Sequence, residues 1–547
     1  MMPLNWNSHQ ASPGRQNRTL RSSGRSGGDA REILKAQVGI GVPLLDGNRC
    51  TGEAWQLADK LATGCQVAGM RSIPFGVPGG TAAATEEESG NATLPFRNAI
   101  ANAAEMVAAA QGLDALVGLH LDDSHGPGFA MALARLNCPG LILSGGAPVP
   151  ERGKGQAPPV FGAEDQRTPP DMGSAVVAAN AGICPADAFH TWAIVLEALG
   201  LALPNSASLP TVDPAKQKEC LRVGSVVRQL LARDIRPRDI LTKAAFTNAM
   251  TVLAALGGST NGVLHLLALA REAGVEFNLR EVQEICRRTP LCCHFAPRGR
   301  GTMADLHRLG GTSMLLKHFW IAGLLDDTCL TLTGLRLGEV LFDAPELPPH
   351  QNLITGPDRP FDSQADIQAC FGNLAPDGIL FKAPGMNPVR FQGTALCFSD
   401  AQAVEDAAAA RKIKPGHVVV LRHLGPVAAG MPEVLRAAEV VAAPELAGKA
   451  ALISDARVSG ISQGIIGVHC APEAVIGGPI GLVQDGDAIS FDLAAGDISW
   501  HVSEREISIR RTNQRRTAVR HDRTYLADFA ATVCQANTGC VSRHVLR

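Results

Sequence analysis

The sequence predicts an α/β protein: an N-terminal α/β domain over residues 33–360, then a smaller β-barrel-like C-terminal domain over residues 370–547. A flexible N-terminal arm, residues 1–32, precedes them. Three observations lead there. A chain of 547 residues is longer than one ordinary core and divides into domains. From about Ile33 to Leu335, helical periodicities alternate with short apolar runs, the pattern of an α/β domain. Past a Pro- and Gly-rich passage, Phe342–Pro360, which reads as a linker, the texture changes to short β-type runs punctuated by turns.

The elements follow in chain order. His9–Ala30 is rich in Ser, Gly and Arg and lacks the apolar stretch of a secretory signal. It reads as a loose arm, although Arg and Ser with almost no acid also suit an organelle transit peptide. Ala115–Leu121 is an apolar run that reads as a buried strand. A turn at Gly126, Pro127 and Gly128, a helix over Phe129–Leu136 and a second strand, Leu141–Ser144, come next. Asn248–Gly274 is the strongest helical stretch. Gly257-Gly258-Ser259-Thr260-Asn261 interrupts it, which predicts two helices with a capped, anion-attracting N-terminus between them. In the C-terminal part the β-type runs are Gly378–Phe381, His417–Leu421, Ala450–Ser454, Gly481–Gln484, Ala488–Asp492 and Ile507–Arg510. Turns at Gly477-Gly478 and Asp485-Gly486-Asp487 suit a barrel. No internal repeat is present.

Composition narrows the class of function. Hydrophobic residues at 46% and charged residues at 19% describe a globular, enzyme-like chain. A net charge of -2 gives no long-range attraction to nucleic acid or to an anionic membrane, so neither is expected as a partner. No apolar run reaches the roughly 18 residues that span a bilayer. The 14 Cys lack the spacing of a disulfide framework and mostly sit beside apolar residues. They read as reduced thiols in a cytoplasmic protein, most of them small core residues.

The chemistry concentrates at the end of the Ala115–Leu121 strand. In an open α/β sheet, ligands bind in the crevice beyond the strands' carboxyl ends. There this chain places Asp122, Asp123, Ser124 and His125, a polar group after a greasy strand. Further motifs follow in order: ALGGSTN (Ala255–Asn261), DLHRLGGT (Asp305–Thr312), NLAPDG (Asn373–Gly378) and LISDARVSGISQGIIGVHCAPEAVIGGPIGLVQDGD (Leu452–Asp487). Together these resemble the dihydroxy-acid and sugar-acid dehydratase family, and the last is closest to its sugar-acid branch, the phosphogluconate, arabinonate and xylonate dehydratases. The resemblance runs from about Ala36 onward.

The resemblance implies a homodimeric or homotetrameric lyase acting on a small hydroxy acid. It removes water from a 2,3-dihydroxy carboxylate, leaving a 2-keto-3-deoxy acid, with an iron–sulfur cluster ([2Fe-2S] or [4Fe-4S]) and Mg²⁺ between two domains. A Lewis acid would hold the departing hydroxide, and a hard cation would hold the carboxylate and the C2 hydroxyl. The family's three cluster thiolates map to Cys50, Asp122 and Cys184, so one sulfur is replaced by a harder carboxylate and the cluster would be more labile. A cluster-free protein with two leftover loop thiols is the alternative. The Mg²⁺ carboxylates map to Glu86, Asp123 and Glu433, with Glu87 or Glu88 able to substitute for Glu86. The family's lysine at the next loop position is Ser124. The catalytic base maps to Ser459, a serine whose acidity depends on adjacent cations. His125 and His423 match no family position and read as satisfied loop or core histidines.

Three functions follow. The first is a dehydratase acting on a sugar acid. The second is a relative without catalysis, kept for binding or assembly. The third is a dihydroxy-acid dehydratase of branched-chain amino-acid synthesis.

Overall fold

The structure, a computed structural model, describes residues 35–44, 49–79, 93–147, 187–296, 298–299, 301–386, 389–458, 460, 462–514, 521 and 523–543. Of residues 49–53 and 93 it describes the backbone alone. The N-terminal arm lies outside the described residues.

Four parallel strands make the first sheet: β1 (Gln37–Leu44), β2 (Arg71–Pro78), β3 (Ala115–His120) and β4 (Gly140–Ser144), in the order β2-β1-β3-β4. β3 and β4 are buried along their whole length, as parallel strands covered on both faces must be. Gly41 on β1 and Gly118 on β3 leave a slot for the Phe129 ring. A Cβ at either would come within 2.1 and 2.3 Å of it. The helix His125–Leu136 therefore lies close on the sheet, and residues 121–124 sit at its carboxyl edge. Gly126, Pro127 and Gly128 are not a separate turn. They form the first turn of that helix, where proline's missing N–H costs nothing.

The interrupted helical stretch is two helices. Lys243–Leu256 ends at Gly257, whose φ of 66° is left-handed, and Ser259 caps Thr260–Ala273 by accepting from the Asn261 amide at 3.2 Å.

The second sheet has eight strands: β5 (Ile367–Cys370), β6 (Gly378–Lys382), β7 (Arg390–Phe398), β8 (His417–Leu421), β9 (Ala451–Ser454), β10 (Ile465–Ala471), β11 (Ala488–Asp492) and β12 (Asp497–Trp500). Their order is β12-β11-β7-β8-β9-β10-β6-β5, parallel from β7 to β10 and antiparallel elsewhere. A parallel bridge between Phe371 and Asp497 joins the two edges, so the sheet is barrel-like and nearly closed. Its middle strands alternate between two cores. Val418, Val420, Ala451, Ile453 and Ile465 face one, and Val419, Leu421, Leu452, Ile466 and Val468 face the other. The helices Ala401–Ala409 and Leu435–Ala442 cover the second.

Two predicted strands are helical. Pro479–Leu482 is a 3₁₀ turn started by its proline. Ile507–Arg510 lies inside the helix Glu504–Asn513. There Ser503 caps the first turn, Arg510 pairs with Glu506 at 2.9 Å, and Ile507 alone is buried. One buried side chain in ten residues gives no sheet face to bury, so caps and the i,i+4 pair decide. Residues 343–360 carry no helix or strand. Bridges Cys293–Ile354 and Leu291–Asp362 fasten this passage and its continuation. Among the described residues no helix is long and apolar enough to cross a membrane.

Candidate active site

Three chain segments meet at the carboxyl edge of β3. The first is the loop Asp122–Ser124. The buried His120 ring pins it: Nδ1 accepts from the Gly126 amide at 3.1 Å, so Nε2 carries the hydrogen and donates to the Phe189 carbonyl at 3.1 Å. Burial lowers the His120 pKa to about 3, keeping the ring neutral. Asp122 Oδ1 accepts from the Asp123 amide at 2.7 Å, and Ser124 Oγ donates to Asp123 Oδ1 at 3.4 Å.

The second segment is the junction Gly257–Asn261. Asn261 is fully buried, and its Nδ2 donates to Glu433 Oε1 at 2.6 Å. The third is the strip Met431–Val434. Arg457 N donates to the Pro432 carbonyl at 3.0 Å and Val434 N to the Arg457 carbonyl at 2.9 Å, pairing Glu433 with Arg457. The buried Arg457 side chain donates through Nε to the Met431 carbonyl at 2.8 Å, and its Nη1 stands 3.7 Å from Glu433 Oε1. Behind the strip, Glu473 accepts from the Val427 and Ala428 amides and, at 2.6 Å, from Gln535 Nε2.

The charges interact. Burial, and then the Asp123 carboxylate, holds the Asp122 carboxyl well above the usual carboxylate range, and Glu433 adds to this. Burial also raises Glu433; Arg457 opposes the shift and Asp123 reinforces it. The structure thus brings Asp122, Asp123 and Glu433 together, although Asp123 and Glu433 are separated by most of the chain. Glu86, with Glu87 and Glu88, lies outside the described residues. So do Cys184, Ser459 and the Cys50 side chain, although the Cys50 backbone belongs to the helix Arg49–Val67.

This donor set suits a hard cation. It offers carboxylate oxygens short of compensating charge, beside the buried Asn261 Oδ1, which has no hydrogen-bond partner among the described residues. Among the described residues, no three His, Cys, Asp or Glu side chains form a finished metal-holding group, so any cation here takes a further ligand from outside them. An iron–sulfur cluster fits less well. The described loop supplies no thiolate, and Asp122 is a hard donor already bonded to the Asp123 amide.

His125 differs from the sequence expectation. It is fully buried, yet neither ring nitrogen has a hydrogen-bond partner among the described residues, and burial lowers its pKa to about 3. His423 sits in the left-handed region, its amide held by Asp455. Sequence reasoning assigned no role to Asn261, Arg457 or Lys382. The first two lie inside quoted motifs, and that was the available signal. Lys382 lies four residues past NLAPDG on an apolar strand, where a buried lysine is the anomaly.

Comparison with known proteins gives one family over most of the chain. A family model described as dihydroxy-acid/6-phosphogluconate dehydratase N-terminal matches residues 35–340, and its C-terminal counterpart matches residues 352–540. The dihydroxy-acid dehydratase of Francisella tularensis subsp. novicida is 36% identical over 93% of this chain and 94% of its own length. Dihydroxy-acid dehydratase 2 of Bradyrhizobium diazoefficiens is 37% identical over 82% of this chain and 80% of its own. The chloroplastic dihydroxy-acid dehydratase of Arabidopsis thaliana is 34% identical over 93% and 86%. These relatives are named for dihydroxy acids, not for the sugar-acid branch that the Leu452–Asp487 motif led us to expect.

Proposed function

Because the chain belongs to the dihydroxy-acid/6-phosphogluconate dehydratase family, and is thereby a hydro-lyase, we propose that it dehydrates a small 2,3-dihydroxy carboxylate to a 2-keto acid. Glu433, held by Asn261 and facing the charge of Asp123, brings three segments to one site, and this convergence carries the reading. Its substrate is a dihydroxy acid of branched-chain amino-acid synthesis. What supports that choice over a sugar acid is the name shared by relatives that align over most of the chain. A sugar acid is the second reading, favoured by the Leu452–Asp487 motif.

In this reading Asp123 and Glu433, with Glu86, would hold Mg²⁺, which would supply positive charge to the substrate carboxylate and C2 hydroxyl. Asn261 fixes Glu433 at the N-terminus of its helix, where the dipole also favours the anionic substrate. Arg457 keeps the Glu433 strip in register. Ser459 Oγ takes the C2 proton. Hydroxide then leaves C3, and the enol becomes the 2-keto acid. Asp122 maps to the position where the family resemblance implies a cluster thiolate; a cluster there would supply a Lewis acid for the C3 hydroxide, with Asp122 as a harder donor. The working form is a homodimer or homotetramer.

The test is 2-keto acid formation by anaerobically purified protein with Mg²⁺. 2,3-Dihydroxy-3-methylbutanoate is compared with a panel of five- and six-carbon sugar acids. Turnover of the first supports the reading, turnover of sugar acids alone moves it to the second, and none with either refutes both.

A further inference from the structure

Lys382 closes strand β6, and its side chain is 1% exposed. Lysine is among the residues least often buried, and a buried ammonium needs partners. Its Nζ donates to two backbone carbonyls far apart in the chain, Gly258 at 3.0 Å and Gly460 through a short bond. Gly258 precedes the Ser259 cap of the helix whose Asn261 holds Glu433. Gly460 is the chain neighbour of Ser459.

The surroundings suit a cation placed for its bonds. The buried Asp366 feels the Lys382 charge, but Arg298 bridges Asp366 to Asp362 and already supplies it with a partner. Asp366 also lies at the same junction: a Cβ at Gly257 would stand 3.0 Å from its Oδ2. The ammonium thus joins the helix junction to Gly460, across the two halves of the chain.

We propose that Lys382 is a positioning residue that ties the Gly460 backbone to the Gly257–Asn261 junction, and so sets Asn261 where it holds Glu433. The catalytic consequence rests on the function proposed above. The joining of Gly460 to the junction does not.

Lys382→Met keeps the stem and removes the donors. In the full chain, amide hydrogen exchange should quicken in residues 258–262 and 458–464 and nowhere else. Turnover kcat should fall about 100-fold with little change in KM, the scale of a roughly 1 Å misplacement. Unchanged exchange in both segments overturns the proposal, as does an unchanged kcat in a protein whose wild type turns over. A wild type without turnover whose Met variant still shows the local exchange change would sink the proposed function and keep the joining. Should the Met variant not fold, Lys382→Arg decides. Its larger, planar head does not fit the place of an ammonium between Gly258 and Gly460, so local exchange and lowered kcat support the proposal, and wild-type values for both overturn it.

Discussion

The Asp122 carboxylate turns onto the amide of Asp123, while Glu433 is held by an amide and a guanidinium. Single atoms therefore decide what each acid can bind. Glu433→Gln keeps the shape and removes the charge. Added Mg²⁺ should raise the Tm of the wild type by binding the native state, and should leave the Tm of Glu433→Gln unmoved. Equal shifts in both proteins would place the cation elsewhere. For Asp122, Asp122→Cys should raise the iron and sulfide of anaerobically purified protein, because a thiolate is the softer donor. Asp122→Ala should lower 2-keto acid formation, and turnover equal to wild type would remove Asp122 from the chemistry. If activity appears only when Asp122→Cys is combined with Ser124→Lys, the natural chain has lost catalysis.

At the scale of elements, the helix junction is the most demanding piece of backbone. A Cβ at Gly257 would lie 2.9 Å from Leu291 Cδ1 and 3.0 Å from Asp366 Oδ2, on a residue at φ +66°. Gly257→Ala should cost about 1–3 kcal/mol in urea unfolding. Ser259→Ala, losing a cap, should cost about 1 kcal/mol. A cost below that of Ser259→Ala would mean the Gly257 backbone relaxes freely. This junction was legible in the sequence because Gly, Gly and Ser state their backbone roles locally. The helix Glu504–Asn513 was not, because Ile507–Arg510 looks β-like until one sees that only Ile507 is buried. In the second sheet β5, β7, β10 and β12 were also missed: β10 is buried along its whole length and so shows no alternation, and β5 and β12 are only four residues long.

Across the whole molecule, two features couple distant parts. Arg97, fully buried, donates to the Gly539 carbonyl at 2.8 Å and the Cys540 carbonyl at 2.9 Å. The Cys540 thiol in turn lies 3.6 Å from Met431 Sδ, in the strip that carries Glu433. Arg97→Leu would take the guanidinium donor from the Gly539 carbonyl and should cost about 1–3 kcal/mol. The second feature is titration. Burial raises Glu473 to about 7 and Glu197 to about 8 from an ordinary 4.5. A raised carboxyl contributes stability that is present below its unfolded pKa and lost as pH rises through its folded pKa. The buried histidines, His120, His125 and His469, titrate in the folded state near 3 and act only below about 6.5. The Tm should therefore fall between about pH 6.5 and 8, and Glu197→Gln should flatten that fall. A Tm rising across this range would contradict the assignment.

The sequence by itself determined the α/β class, the texture change after Phe342–Pro360, the strand–loop–helix at Asp122 and the split helix. Each is written in residues adjacent in the chain, as periodicity, glycine placement and caps. Tertiary structure decided the rest. That the eight-stranded sheet nearly closes depends on Phe371 reaching Asp497, a pairing no local pattern encodes. That Asp123 meets Glu433, that Asn261 holds it, and that Lys382 bridges Gly258 to Gly460 depend on contacts across 78 to 172 residues, for the two bridges and the Asn261 bond. A buried charge is stabilised only by whatever partners the fold brings to it, and those partners are fixed by packing rather than by spacing along the chain.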